Sequence, residues 1–120
     1  MRRILVTGAA TWTGGRLVTH LERLNDVQVL AVDEISPRLE FNSTFHKMSL
    51  DRPEVARFLV DVRPDTVVHL QTVDRTAELV RSRAHESAVV GAQAFFGAIG
   101  QCDSVRHVVV KSDTAIYGAS

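Results

Sequence analysis

Residues 6–15 read Val-Thr-Gly-Ala-Ala-Thr-Trp-Thr-Gly-Gly, with an aliphatic run before them and a helically spaced apolar pattern after. A strand turning into a helix at such a loop offers main-chain N–H groups and the positive end of a helix dipole, which together receive a pyrophosphate. Gly8 can supply the tight turn and Gly14 the close packing of helix on strand, with Thr11, Trp12 and Thr13 between them facing the phosphates. Asp33 stands nineteen residues after Gly14, directly after a second aliphatic run. A carboxylate there accepts hydrogen bonds from an adenosine ribose. The combination points to a dinucleotide. Because Asp33 would repel a ribose 2′-phosphate, NAD is favoured over NADP, with nearby Arg38 keeping NADP as the alternative. The competing structural reading makes the glycines a plain turn and Asp33 a solvated strand end, as in unrelated α/β folds. Trp12 is expected to pack at the loop rather than to stack on adenine.

Those residues need a scaffold, and the chain supplies one. Arg3–Thr7, Val27–Val32, Thr66–Leu70 and Val105–Val110 are short aliphatic runs, with a weaker strand candidate at Thr44–Met48. Between them lie helical patterns: Gly14–Leu24 with Leu17, Val18, Leu21 and Leu24 on one face, and Pro53–Val62 with Val55, Phe58, Leu59 and Val62 inward. A longer helical pattern runs from Thr76 to Cys102, and close approach to the sheet would explain its Gly91, Gly97 and Gly100. Apolar strands alternating with helices predict a doubly wound parallel α/β sheet of about five strands, covered on both faces.

Composition narrows the function classes. The 120 residues suit one domain, and 45% hydrophobic against 23% charged residues excludes a disordered chain. Fourteen Lys and Arg balance fourteen Asp and Glu, which removes the electrostatic case for nucleic acid or an acidic membrane as partner. The apolar run at the N-terminus is interrupted by Thr7 and Gly8, too early for a signal peptide, and the stretch 88–99 is too short to span a bilayer. The single cysteine, Cys102, fits a reducing, cytoplasmic setting. The five histidines show no metal-ligand spacing, so no metal is expected, and His69 reads as a packed strand residue. Phe95 and Phe96 read as core and inter-helix contacts.

Four motifs in order resemble the extended short-chain dehydrogenase/reductases, the NAD-dependent epimerases and dehydratases, in an actinobacterial-type branch. Thr7, Gly8 and Gly14 match the start Thr-Gly-x-x-Gly-x-x-Gly. Asp65-Thr-Val-Val-His-Leu70 resembles the fourth-strand pattern, Val89-Val-Gly91 a helix start, and residues 108–118 the end of the fifth strand, Ser-Ser-x-x-Val-Tyr-Gly. The resemblance covers essentially the whole chain and implies a Rossmann-like fold, NAD as cofactor and a sugar nucleotide or similar substrate. It also places Ser49 and Leu50 beside the adenine, and Leu70 and Gln71 at the cofactor.

The departures from that pattern fall on positions that touch ligand. Thr11 replaces the middle glycine, which is strongly disfavoured if the site needs φ > 0. Another loop path, or a Thr11 hydroxyl that donates to phosphate, would accommodate it. Ser49 replaces an Asp, Gln71 a small residue and Ala88 an Asn. Asp113 stands at the catalytic Ser/Thr position, where an ionised carboxylate can only accept and opposes developing negative charge. Ser112 or Thr114 would serve if the loop shifts by one residue, and an ion pair of Asp113 with Lys111 is the structural alternative. The family's catalytic Tyr-x-x-x-Lys is absent from these residues, and Tyr117, the single tyrosine, is not its counterpart.

The expectation is that residues 1–120 form the NAD(P)-binding domain of an epimerase/dehydratase-like oxidoreductase, with the substrate domain outside the sequence. The alternative is a non-catalytic module that senses a dinucleotide or mediates protein association. A sheet ending at its fifth strand should expose apolar surface and favour a homo-oligomer or another partner.

Overall fold

A computed structural model describes residues 1–37, 41, 43–50, 52–70 and 93–110. Five strands, β1 (Arg2–Thr7), β2 (Val27–Asp33), β3 (Thr44–Lys47), β4 (Thr66–His69) and β5 (His107–Val110), form one sheet in the order β3-β2-β1-β4-β5. Every neighbouring pair is parallel. Helix α1 (Trp12–Leu21) follows β1, α2 (Glu54–Val62) follows β3, and residues 93–100 are helical ahead of β5.

The aliphatic runs form strands because alternate side chains feed two cores. Leu5, Leu30, Val32 and Val67 pack on one face with Val55 and Leu59 of α2 and with Phe95 and Ile99. Ile4, Val6, Val29 and Ala31 pack on the other with Val18, and Leu17 and Leu21 lie against them. Helical cover on both faces is the doubly wound arrangement that the sequence predicts. Burying each such Leu or Val contributes about 1.5–3 kcal/mol.

Element ends depart from the expected ones for local reasons. α1 begins at Trp12 because Thr11 caps it, and it stops at Leu21. Leu24 therefore lies beyond the helix and is 46% exposed rather than on its inner face. α2 ends at Arg63, in the left-handed region at φ 47°. Of the expected 76–102 helix, residues 93–102 fall among the described ones, and the helix there covers 93–100, ending short of Cys102. There the expected close approach fails: a Cβ added at Gly97 or Gly100 would meet no atom within 4 Å. Their glycines are thus not packing requirements, and Gly91 lies outside the described residues. β5 is exposed along its length, with Val108, Val109 and Val110 between 42% and 53% accessible.

The order β3-β2-β1-β4-β5 means that the chain winds outward from β1 in one direction and then returns to its other side. The crossovers diverge between β1 and β4, opening a crevice at the carboxyl ends of these strands, where ligands of open α/β sheets bind. Thr7 and His69 are register partners at that end.

Candidate cofactor site

The loop after β1 is built on two glycines with different duties. Gly8 has φ 67°, a conformation that costs a side chain energy. Gly14 has ordinary helical backbone, but a Cβ there would sit 2.0 Å from the Gly8 carbonyl oxygen and 2.8 Å from its carbon. The turn therefore requires glycine at Gly8 for conformation and at Gly14 for space.

Thr11 resolves the apparent conflict at the middle position. Its φ of −73° and ψ of 161° are extended, so no left-handed backbone is asked of it. The hydroxyl donates to the Gly8 carbonyl (2.6 Å) and accepts from the Gly14 N–H (3.0 Å), capping α1. In this arrangement its proton is committed to Gly8 and does not point to a phosphate, as one sequence alternative required. Most other loop amides are committed too. Ala9 donates to the Val32 carbonyl, Thr11 to that of Gly8 and Gly15 to that of Thr11. Among the described residues, the Trp12 and Thr13 amides of the first helical turn have no acceptor. Two unpaired N–H groups at the positive end of α1 suit an anion. The Trp12 side chain does not pack into the loop as expected. It is 74% exposed, with the Arg16 guanidinium 4.6 Å from its ring centre.

Asp33, at the end of β2, is buried, and its carboxylate is held by backbone. Oδ2 accepts from Ala10 (2.9 Å), while Oδ1 accepts from Glu34 (2.6 Å) and, at 3.5 Å, from Ile35. This is not a solvated strand end. One carboxylate ties the glycine loop to β2 and, with about four lone-pair sites, keeps acceptor capacity for ribose hydroxyls. The sequence reading missed the Ala10 link, because nothing in residue types shows which amide a carboxylate will meet.

Further along the carboxyl edge, the Ser49 hydroxyl donates to Glu34 (2.8 Å). Glu34 and Ser49 line an open depression of about 710 Å³ with Lys47, Met48, Arg52, Glu54 and Val55. Leu50 and Leu70, by contrast, place their side chains in the two cores, leaving main chain as the part of each that can face a ligand. Gln71, Ser112, Asp113 and Thr114, with Arg38 and Ala88, lie outside the described residues.

At the floor of the crevice the Leu70 N–H donates to Thr7 Oγ1 (3.1 Å), and Thr7 Oγ1 lies 2.8 Å from His69 Nδ1. The Thr7 hydroxyl has no other acceptor among the described residues, and the tautomer with the ring proton on Nε2 lets it donate to Nδ1. Burial lowers the His69 pKa from 6.5, in keeping with a neutral ring. The Phe95 and Phe96 ring centroids each lie 5.3 Å from that of His69, Phe95 tilted by 31° and Phe96 edge-on at 70°. His69 is thus packed, as the sequence suggests, but in a polar network that spacing alone did not reveal. Among the described residues, no group of three or more His, Cys, Asp and Glu side chains could hold a metal.

A parallel sheet in this order, with a glycine turn from β1 into a capped helix and a carboxylate ending β2, defines a Rossmann-like domain. The chain belongs to the NAD dependent epimerase/dehydratase family, whose profile matches residues 4–120. Uncharacterized proteins of Mycobacterium tuberculosis and Mycobacterium bovis are 33% identical over 98% of this chain, which spans about a third (33%) of their length. MoeE5, solved with UDP-glucose and NAD, is 27% identical with a TM-score of 0.80, over 97% of this chain and 38% of that one. The UDP-glucose-4-epimerase of Stenotrophomonas maltophila, solved with NAD and formylated UDP-arabinopyranose, shares the fold at 22% identity and TM-score 0.78. That match covers 98% of this chain and 38% of the other.

Proposed function

We propose that residues 1–120 are the NAD-holding unit of an epimerase/dehydratase-like oxidoreductase acting on a sugar nucleotide or similar substrate. The observation that carries this reading is the conjunction at the α1 N-terminus: the Gly8–Gly14 contact, two acceptor-free amides and a backbone-braced Asp33 beside them. The Trp12 and Thr13 amides would hold the pyrophosphate, and the spare lone pairs of Asp33 the adenosine ribose. Bound NAD would supply a hydride acceptor over the β1–β4 crevice. MoeE5, similar over nearly the whole chain, was solved with this cofactor and a sugar nucleotide, which supports the assignment. On this reading substrate capture belongs to residues outside these 120, which is compatible with the chain spanning a third (33%) of its relatives' length, and the buried Cys102 fits a cytoplasmic protein.

Thermal unfolding with NAD, NADP or no ligand tests this. At a hundredfold excess over Kd, NAD should add about 2.7 kcal/mol of stability, and NADP less. Asp33→Ala should erase the preference between the two. No shift at millimolar dinucleotide would sink the proposal, and unchanged selectivity in the variant would remove Asp33 from it.

A further inference from the structure

The opposite end of the sheet carries a second polar cavity, of about 450 Å³, lined by Arg2, Arg63, Asp65, Asp103, Ser104, Arg106 and His107. Its walls are the amino ends of β1, β4 and β5 and the carboxyl end of α2. It is therefore separated from the glycine loop by the length of the strands. The volume is within the range of small-molecule sites, about 300–1,000 Å³.

Its hydrogen-bond inventory is lopsided. Both oxygens of Asp65 are engaged inside the fold, Oδ2 by the Arg3 N–H (2.8 Å) and Oδ1 by the Thr66 hydroxyl (3.0 Å). The Ser104 hydroxyl donates to the Pro64 carbonyl. The Asp65 carbonyl accepts from the Arg106 and His107 amides, fixing the backbone that carries these two side chains. No described partner takes the guanidinium of Arg2, Arg63 or Arg106, whereas that of Arg3 donates to the Val62 carbonyl. Three exposed arginines thus line one cavity with two carboxylates, of which Asp103 has no described partner.

The backbone at Arg63 adds an independent sign. Its φ of 47° is a conformation that glycine adopts freely and side chains resist, and it is the one non-glycine residue with positive φ among those described. A helix end of this kind is commonly closed by glycine, so the sequence keeps an arginine where the backbone disfavours one. Planar guanidinium forks match the oxygens of a phosphate group, and the three arginines outnumber the Asp65 and Asp103 carboxylates, leaving the lining a net positive charge.

We infer that this cavity is a second, cofactor-independent anion site for a phosphate group, carried by a small phosphomonoester or by free inorganic phosphate. The inference does not rest on the NAD assignment.

Nuclear magnetic resonance titration of the full chain with inorganic phosphate, with ribose 5-phosphate and with potassium chloride at matched ionic strength tests it. Saturable shifts at the Arg2, Arg63, Arg106 and His107 amides are expected with phosphate compounds and not with chloride. Equal responses to the two would assign recognition to the phosphate alone, and a stronger response to the ester would assign part of it to the organic group; either supports the site. Arg63→Gly relieves the backbone while removing the guanidinium, so it should fold at least as stably yet bind phosphate at least tenfold more weakly. Arg106→Gln, which keeps the amide bonded to Asp65, should weaken binding similarly. Unchanged affinity in both variants, shifts that chloride reproduces, or shifts confined to residues 8–15 would overturn the inference. NAD-induced shifts at residues 8–15 report on the other reading separately.

Discussion

At the residue scale, the glycine loop separates two requirements that a sequence pattern merges. Gly8 is needed for φ, Gly14 for space, and Thr11 stands where the family has a third glycine without needing either. Gly14→Ala would drive a methyl into the Gly8 carbonyl, so the loop must shift. A loss of about 1–3 kcal/mol in denaturant unfolding is expected, together with weaker NAD binding. Gly97→Ala is the control: its Cβ enters open space in a helix and should add about 0.5–1 kcal/mol. Equal effects at the two sites would show that the close contact is not what Gly14 serves. For Thr11 the cap matters. Thr11→Ala should cost about 1 kcal/mol and Thr11→Gly only a few tenths. If Thr11→Ala leaves stability unchanged, the hydroxyl's bonds to Gly8 and Gly14 contribute nothing net. Sequence reading found the glycines and Asp33 because strand, turn and helix signals bracket them. It could not foresee that the Thr11 hydroxyl would cap α1, since that depends on a backbone angle and not on residue type.

At the element scale, the Thr7–His69–Leu70 network joins β1 to β4 at the floor of the crevice. Its energetics have a definite sign with pH. The folded state lowers the His69 pKa from 6.5, so the unfolded chain binds the proton more readily. Stability from this group is complete above 6.5 and is lost as pH falls from there through the folded pKa. Protonation also places a second donor on Nδ1, opposite the Thr7 hydroxyl, which must then turn away. Urea unfolding at pH 7.5 and pH 5 should show a fall in stability that His69→Asn largely removes, because Asn offers an acceptor without titrating. A pH dependence identical in the variant would assign the effect to other groups. The strands themselves were legible from aliphatic runs, and so was their parallel direction, whereas their order in the sheet was not. The network was not, since it arises from the register Thr7↔His69, set by pairing across 62 positions of sequence.

At the scale of the whole molecule, charge balance and strand order lead to the outer edge of the sheet. The chain is neutral overall, with no net repulsion to keep copies apart. Among the described residues the sheet ends at β5, which has no described strand partner on one side and carries three half-exposed valines, so it offers an edge of backbone and apolar surface. Proteins normally blunt such an edge with charge, proline or cover, and residues 107–110 read His-Val-Val-Val. The first strand of that sheet contrasts with it, because β1 opens on Arg2 and Arg3 and is paired on both sides. The 120-residue chain should therefore dimerise through β5, as a two-fold pairing of the same strand in each copy. Sedimentation over a range of concentrations should show a monomer–dimer equilibrium, and Val109→Lys should weaken it at least tenfold while leaving the fold intact. A chain that stays monomeric at every concentration, or a dimer indifferent to Val109→Lys, would exclude the edge. A chain extended to the length of its relatives that no longer dimerises would instead show that the added residues cover β5, and the valines would then be an internal seam of a larger sheet.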